Sequence, residues 1–590
     1  MSAYSARAAA GGQWKRTADP AGGRAVDKAG TTEQRAPAAV AGDDKRLKKH
    51  FGPIGLLFTA VGSIIGSGWL FGALKAAQLA GPAAIVSWVI GAVMFVLIGM
   101  TYAELGTMFP HSGGVARYPH YSFGSFASFS MGWVTWIAAA AVSPIEVLAV
   151  VQYATNYVPW LERLDADRNA VLTPAGTGIS VALLAFFVLV NFFGVRWFSR
   201  INNVLVWWKL AVIALVIVVF LATAFHTDHF AGFGGFAPYG THGIFSAVAS
   251  AGIAFSFFGF RQGVELAGET ANPKRNVPLT LIGSVVLTGI LYVLLQIAFI
   301  GAVPSDAIAK QGWEHVGANF TAGGDVLATF GPLAAISTVL GIGWLAALLY
   351  ADAIISPGDT GLIYTGVTAR ISYAMGRNGN APSGLSKVNS AGVPWVSLIL
   401  AFAVGCFFFL PFPGWSQLVS FVTNSTVLSF GSGPLVLLAM RKQLPGHDRP
   451  FRLGRGTTGT VAFLALFSTN LIIYWTGWDT NWKLFVVIVF GYLLLAANQT
   501  FSKRTPRTDF RHGWWVLVWF AGLAVISYLG TYPEASSHAG NLGVLDFSLG
   551  AVASLVLTAI VMALALRSAL PSERVTEILA ERREVDETPA

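Results

Sequence analysis

Charge is scarce in this chain. Only 11% of its 590 residues are Asp, Glu, Lys or Arg, where soluble domains carry near 25%. Hydrophobic residues make up 54% and the mean hydropathy is +0.61. That balance excludes the string of soluble domains that the length alone would allow. Cysteine is nearly absent too, with Cys406 the single example, so neither a disulfide framework nor a thiolate metal site is available. No H-E-x-x-H pair, G-x-S-x-G elbow or P-loop lysine stands in a suitable context. The histidines lie mostly in loops and termini: His50, His111, His120, His226, His229, His242 and His315. A metalloenzyme, a serine hydrolase and an ATP-driven pump therefore lack their machinery. The chain is expected to be no enzyme and to hold neither metal nor organic cofactor. A net charge of +9 is no nucleic-acid signature either, because the first 52 residues alone hold ten Lys/Arg against five acids. Such a bias suits a cytoplasmic tail beside a lipid bilayer.

What is present is a series of apolar runs near the ~20 residues that cross a bilayer as a helix. They fall at about 53–75, 82–109, 126–158, 176–194, 200–224, 243–266, 277–302, 333–373, 394–412, 416–440, 459–478, 482–500, 514–531 and 547–567. That is fourteen segments, several long enough to tilt or to carry interfacial turns. Cations cluster after the even-numbered spans: Arg117, Arg196 with Arg200, Lys274-Arg275, Arg370 with Arg377, Arg441-Lys442 and Lys503-Arg504. The opposite loops hold mainly Arg163, Arg168 and Lys310. This alternation places both termini in the cytoplasm. Residues 1–52 read as a disordered basic tail without a cleavable signal, and 569–590 as an acidic cytoplasmic tail.

Span 1 is interrupted. Gly62-Ser63-Ile64-Ile65-Gly66-Ser67-Gly68 stands at its centre, and three glycines with two serines propagate a helix poorly. In lipid the freed N–H and C=O groups find no water, so a break is tolerated only against protein, a cavity or a ligand. Close packing of a neighbouring helix is one reading. The other is a half-helix N-terminus whose amides receive a carboxylate. Span 6 carries a second Gly-punctuated break, Ser256-Phe257-Phe258-Gly259-Phe260-Arg261-Gln262-Gly263, five spans later. Broken helices in corresponding positions point to a transporter with inverted repeats. The repeats would be 53–224 and 243–441 within a ten-helix core at 53–441, and 442–568 would add four further helices.

The first break, together with Gly268-Glu269-Thr270 and Asn272-Pro273-Lys274-Arg275-Asn276-Val277-Pro278 after span 6, resembles the amino acid–polyamine–organocation (APC) transporter superfamily over roughly residues 50–440. The resemblance implies an all-α, LeuT-like fold with five-plus-five inverted repeats, broken helices 1 and 6, and about 12–14 transmembrane helices. It also implies secondary active transport of amino acids or amines. On this likeness Ser67 and Gly68, with Gly66, would bind the substrate α-carboxylate. Backbone carbonyls at Ser63, Ile64, Phe257 and Phe258 would take the α-amino group.

Ionisable residues within spans need a partner or a purpose, since each costs at least ~3 kcal/mol at the bilayer centre. Those present are Glu146 in span 3, Lys209 in span 5, Arg261 and Glu265 in span 6, and Asp352 and Asp359 around Pro357-Gly358 in span 8. Glu104 and Glu269 lie near helix ends, where solvation by the loops is expected. Lys209 matches a lysine that proton-coupled members of the family place where sodium-coupled relatives hold their cation, so it would join spans 1, 5 and 8; a purely structural lysine is the alternative. Glu146, Glu265, Asp352 and Asp359 complete the candidate proton-coupling and gating set.

Arg261 departs from the family pattern for neutral and basic substrates and resembles the aspartate–proton symporter branch. Its guanidinium could take a substrate side-chain carboxylate bidentately; it could equally pair with Glu146, Asp352 or Asp359. The expected function is proton-coupled symport of aspartate or glutamate by alternating access across the cell membrane. A neutral amino-acid permease, or an exchanger without proton coupling, is the alternative.

Overall fold

A computed structural model describes residues 52–110, 114–165, 169–193, 198–317, 327–377, 381–389, 392–501, 508–532 and 540–587. The expected basic tail at 1–51 lies outside these residues, as do Arg168, Arg196, Lys503 and Arg504. The described chain begins with α1 (Pro53–Ile64), α2 (Gly68–Ala80), α3 (Ala84–Met108), α4 (Gly114–Ala154), the hairpin β1 (Glu162–Leu164) with β2 (Ala170–Leu172), α5 (Pro174–Phe192) and α6 (Phe198–Thr223). Then come α7 (Gly240–Ser250), a 3-10 segment Phe255–Arg261, α8 (Gln262–Glu265) and α9 (Pro273–Ala302). Short helices α10 (Ser305–Gln311), α11 (Leu327–Phe330) and α12 (Pro332–Val339) lead to α13 (Gly343–Arg377). Helices α14 (Trp395–Phe408), α15 (Trp415–Phe430) and α16 (Ser432–Gln443) follow. The chain closes with α17 (Thr458–Thr476), α18 (Trp478–Phe501), α19 (Phe510–Gly513), α20 (Trp515–Leu529), α21 (Phe547–Ser568) and α22 (Ser572–Glu587).

Among the described residues ten helices are long and apolar enough to cross a membrane, and the bent pair Gly240–Ser250 and Phe255–Glu265, turned by 46°, makes an eleventh span. Shorter apolar helices α1 and α14 and the acid-bearing α13 bring the total into the expected range. Two boundaries differ from the sequence reading. Span 8 does not start at 333, because Gly341 takes φ +74° and separates α12 from α13. The break in span 6 lies at 251–254, where Gly252 takes φ +88°. Ser256 to Arg261 is wound as a 3-10 turn instead of being open.

Helix α13 packs along α4, and α9 along α3. These contacts bring spans 3 and 8 of the sequence reading side by side around the breaks. The last helices are tied in by buried amides. Asn424 of α15 donates to Asn481 of α18 and accepts from Thr476 of α17 at 2.6 Å, while Asn481 donates to Ser527 of α20 at 2.7 Å. These contacts cross helix interfaces, which is how polar side chains join helices in lipid.

The loop after α16 does reach Glu104, as expected at a helix end, but a second helix holds it as well. Its carboxylate is fully buried and takes a two-pronged contact from Arg441, Nε to Oε1 at 2.7 Å and Nη2 to Oε2 at 2.6 Å. Arg449 Nε lies 3.3 Å from Oε1, and the Leu453 N–H donates to Oε2 at 2.9 Å. One acid thus fastens α3 to α16 and to the loop after it, and charge-assisted forks of this kind fix geometry strongly. Glu162 in the hairpin is the opposite case. It is 3% exposed, and neither carboxylate oxygen has a hydrogen-bond partner among the described residues. Burial pushes its carboxyl well above the ordinary carboxylate range.

Glu104→Ala is expected to cost about 3–5 kcal/mol, because it strands two guanidiniums; the loss would show as a lower Tm of the detergent-purified protein. Glu162→Gln has the opposite sign. The folded state holds a proton that the unfolded chain releases near about pH 4.3, so wild-type stability is complete below that pH and declines as pH rises. The Gln variant is therefore expected to raise Tm at neutral pH and above and to leave it unchanged in acid.

Candidate functional site

Chain termini of broken helices leave backbone groups without partners, and their fate defines this site. At the end of α1 the Gly62 carbonyl accepts from Lys209 Nζ at 3.0 Å. The Thr360 hydroxyl of α13 lies 3.3 Å from Lys209 Nζ, 3.4 Å from the Ile65 carbonyl and 3.2 Å from Ser356 O. Lys209 is fully buried and its Nζ lies 2.8 Å from Asp359 Oδ2. One ammonium thereby holds α1, α6 and α13 together, the three elements that the sequence reading assigned to it.

At the start of α2 the Ser67 N–H donates to Glu146 Oε2 at 2.8 Å. The carboxylate presses so closely on Gly66 that a Cβ there would clash with it. Trp415 Nε1, from the first turn of α15, donates to Ser67 Oγ at 2.9 Å. Gly68 meets Ser256 and Phe255 of the second break with no room for a side chain. Gly259 lies directly on the Ser63–Ile64 peptide, where a Cβ would fall inside the shell of the Ser63 carbonyl and the Ile64 nitrogen. The two breaks therefore cross backbone to backbone, and only glycine allows the approach.

Beside the crossing is a cavity with room for about one water, lined by Ser63, Ile64, Val142, Glu146, Phe255, Phe258, Thr360 and Tyr364. The Ser63 hydroxyl and Glu146 Oε1 have no hydrogen-bond partner among the described residues. Arg261, 2% exposed, sets its guanidinium carbon 5.1 Å from the centre of the Tyr364 ring. None of its three nitrogens has a hydrogen-bond partner among the described residues.

The candidate residues thus separate. Ser63, Ile64, Gly66, Ser67, Gly68 and Phe258 gather at the crossing. The Phe257 ring does not, for it packs between Trp88, Phe95 and Tyr292 on the α3–α9 side. The proton-coupling set is likewise divided. Asp359 pairs with Lys209, whereas Asp352 accepts from Trp208 Nε1 and Ser356 Oγ, both at 2.8 Å. Glu146 occupies the α2 terminus, and half-buried Glu265 forms no ion pair with Arg261 among the described residues. Arg261 pairs with none of the three acids considered for it. Sequence reasoning missed Thr360, Tyr364 and Trp415. Ser356, Thr360 and Tyr364 recur at i, i+4 and i+8 beside Asp359, a polar stripe legible as one helix face; Trp415 carried no such signal.

Gly259→Ala is expected to displace the crossing. Overpacking ordinarily costs 1–3 kcal/mol, and here the obstacle is backbone that cannot rotate away. A lowered Tm together with loss of transport would show this, while Gly283→Ala, at a position bordered only by leucine methyls, should be near neutral in both.

The model of a family described as amino acid permease matches residues 51–494. The chain is 36% identical to the glutamate/serine transporter AimA of Bacillus subtilis over 547 residues, 92% of this chain and 97% of that protein. It is 35% identical to the aspartate-proton symporter of the same organism over 520 residues, 87% of this chain and 95% of the relative. It is 26% identical to the branched-chain amino acid permease BcaP of B. subtilis over 469 residues, 78% of this chain and 94% of the relative. Coverage this long joins the crossed breaks to a known architecture: the chain belongs to the amino acid permease family, with the five-plus-five inverted-repeat fold of the APC superfamily.

Proposed function

We propose that this protein is a proton-coupled symporter of acidic amino acids in the cell membrane, with both termini cytoplasmic. The single observation that carries the acidic preference is the Arg261 guanidinium, buried and without a hydrogen-bond partner among the described residues. A buried charge in that condition is costly until an anion joins it. Glu146, Asp352 and Asp359 are engaged elsewhere, and Glu265 feels the Arg261 charge without forming an ion pair with it among the described residues, so a carboxylate from outside can still take the guanidinium's hydrogen bonds. Tyr364 stands between Arg261 and the cavity. A dicarboxylic amino acid would place its α-carboxylate at the α2 terminus, near Ser67 and Gly68, and its side-chain carboxylate toward Arg261. The names of two relatives, a glutamate/serine transporter and an aspartate-proton symporter, agree with this reading.

Proton coupling rests on Lys209. Its ammonium holds the Gly62 carbonyl and Asp359, and loss of its proton would release α1 from α6 and α13, a change that arginine could not make. The proton would be the coupling ion, with no other cofactor. Residues 53–441 would form the transport unit and 442–568 the added helices. The serine in one relative's name favours a second reading, in which neutral amino acids share the α-carboxylate seat and use Arg261 little.

Uptake of radiolabelled aspartate into proteoliposomes, with and without an inward proton gradient and with unlabelled competitors, tests the proposal. Accumulation driven by the gradient and blocked by aspartate and glutamate is expected. Arg261→Ala should lower aspartate affinity by about tenfold to a hundredfold, the worth of one charge-assisted contact, in a folded protein. Normal aspartate uptake by that variant would sink the carboxylate clamp, and competition by serine alone would favour the second reading.

A further inference from the structure

The seat proposed for the substrate α-carboxylate already holds a carboxylate. Glu146 Oε2 accepts the Ser67 N–H at 2.8 Å, as a substrate carboxylate at a half-helix N-terminus would. The side chain is fully buried, its second oxygen Oε1 has no hydrogen-bond partner among the described residues, and it borders the cavity. Gly66 is flush against it, and Trp415 orients the Ser67 hydroxyl from the far side. The charged and titratable groups around it are Lys209 from α6, Asp359 and Tyr364 from α13, and Tyr292 from α9. Lys209 is the one cation among them, and its contacts go to Asp359, Gly62 and Thr360.

We propose that Glu146 is a tethered stand-in for the substrate α-carboxylate, and that its displacement by substrate is the step that takes up the coupled proton. This deepens the symport reading and rests on the α-carboxylate seat defined there. Two carboxylates confined at one small, dry site cannot both stay ionised. When substrate arrives, the bond from Ser67 N–H to Glu146 Oε2 breaks and a bond from Ser67 N–H to the substrate carboxylate oxygen forms. A proton from the outer solution then binds the freed Glu146 oxygen, giving a neutral carboxyl. For aspartate, net charge −1, the pair of arrivals adds no net charge to the site. On the inner side the order reverses: substrate leaves, Glu146 loses its proton and returns to Ser67, so an empty site that has not reset cannot hold the proton for the return. Lys209 then need not lose its proton: the coupling role given to it above passes to Glu146, and its ammonium holds α1, α6 and α13 in register.

The experiment uses the purified full-length protein in weakly buffered detergent. Radiolabelled aspartate binding is measured across pH, with serine as a second ligand because it shares the α-carboxylate. A pH indicator reports protons taken up, and infrared difference spectra report the carboxylic-acid C=O stretch. Wild type is expected to take up close to one proton per substrate bound and to gain a protonated-carboxyl band. Its affinity should weaken about tenfold per pH unit above the linked titration. Glu146→Gln, an isostere that cannot ionise, should bind with affinity independent of pH, with neither proton uptake nor the band. Proton uptake that survives in Glu146→Gln overturns the proposal. If that variant does not fold, the wild-type band alone decides: no new carboxyl band on substrate binding overturns it. Binding of serine but not aspartate would sink the acidic reading while the linkage is measured with serine. Binding of neither would sink the α-carboxylate seat and the inference with it.

Discussion

The structure depends on a crossing of two peptide segments in the buried interior of the helices. Gly259 of the 3-10 turn rests on the Ser63–Ile64 peptide, and each half-helix terminus thereby exposes polar backbone to the other instead of to lipid. Lipid tolerates such termini only when protein satisfies them, and the surrounding helices are placed to do so. Lys209 and Thr360 receive the carbonyl end of α1, and Glu146 receives the amide end of α2. Under the proposed function, the same groups that make the break tolerable are the ones a substrate engages. Fold and site share one cause.

Buried charge shows how structure and function part company. Glu104 and Arg261 look alike in the sequence, single ionisable residues in apolar runs. In the fold Glu104 has every reason to stay still, with Arg441, Arg449 and a backbone N–H on its two oxygens. Arg261 has a tyrosine face and no hydrogen bond among the described residues. A satisfied network adds rigidity, whereas an unsatisfied buried group adds a standing demand for a ligand. The difference lies in partners brought from other spans, and it cannot be seen along the chain.

Much of the architecture was legible because lipid imposes a strict rule on the backbone. Long apolar runs gave the helices, Gly-rich interruptions gave the first break nearly to the residue, and the joining of spans 1, 5 and 8 through Lys209 followed from the family likeness. What failed was local. The second break moved to 251–254 because Gly252 takes the left-handed backbone while Ser256 bonds back to the Gly252 carbonyl, N to O at 2.9 Å. The division of α12 from α13 turned on one such glycine, Gly341. Trp415 was invisible because its role lies in the direction of one indole N–H, a property set by tertiary packing and not by sequence period.

The acids of the core divide according to what each can release. Asp359 is bound to an ammonium, and Asp352 to a tryptophan and a serine that keep it in place. Glu146 is held by one backbone N–H, with no partner for its other oxygen among the described residues, in the wall of the cavity. A group held by one bond to the very donor that a ligand needs is the easiest of the three to exchange, and exchanging it changes the charge of the site. Coupling of substrate to proton then requires no relay between distant residues. It requires only that two carboxylates compete for one helix terminus, and that the loser be neutralised.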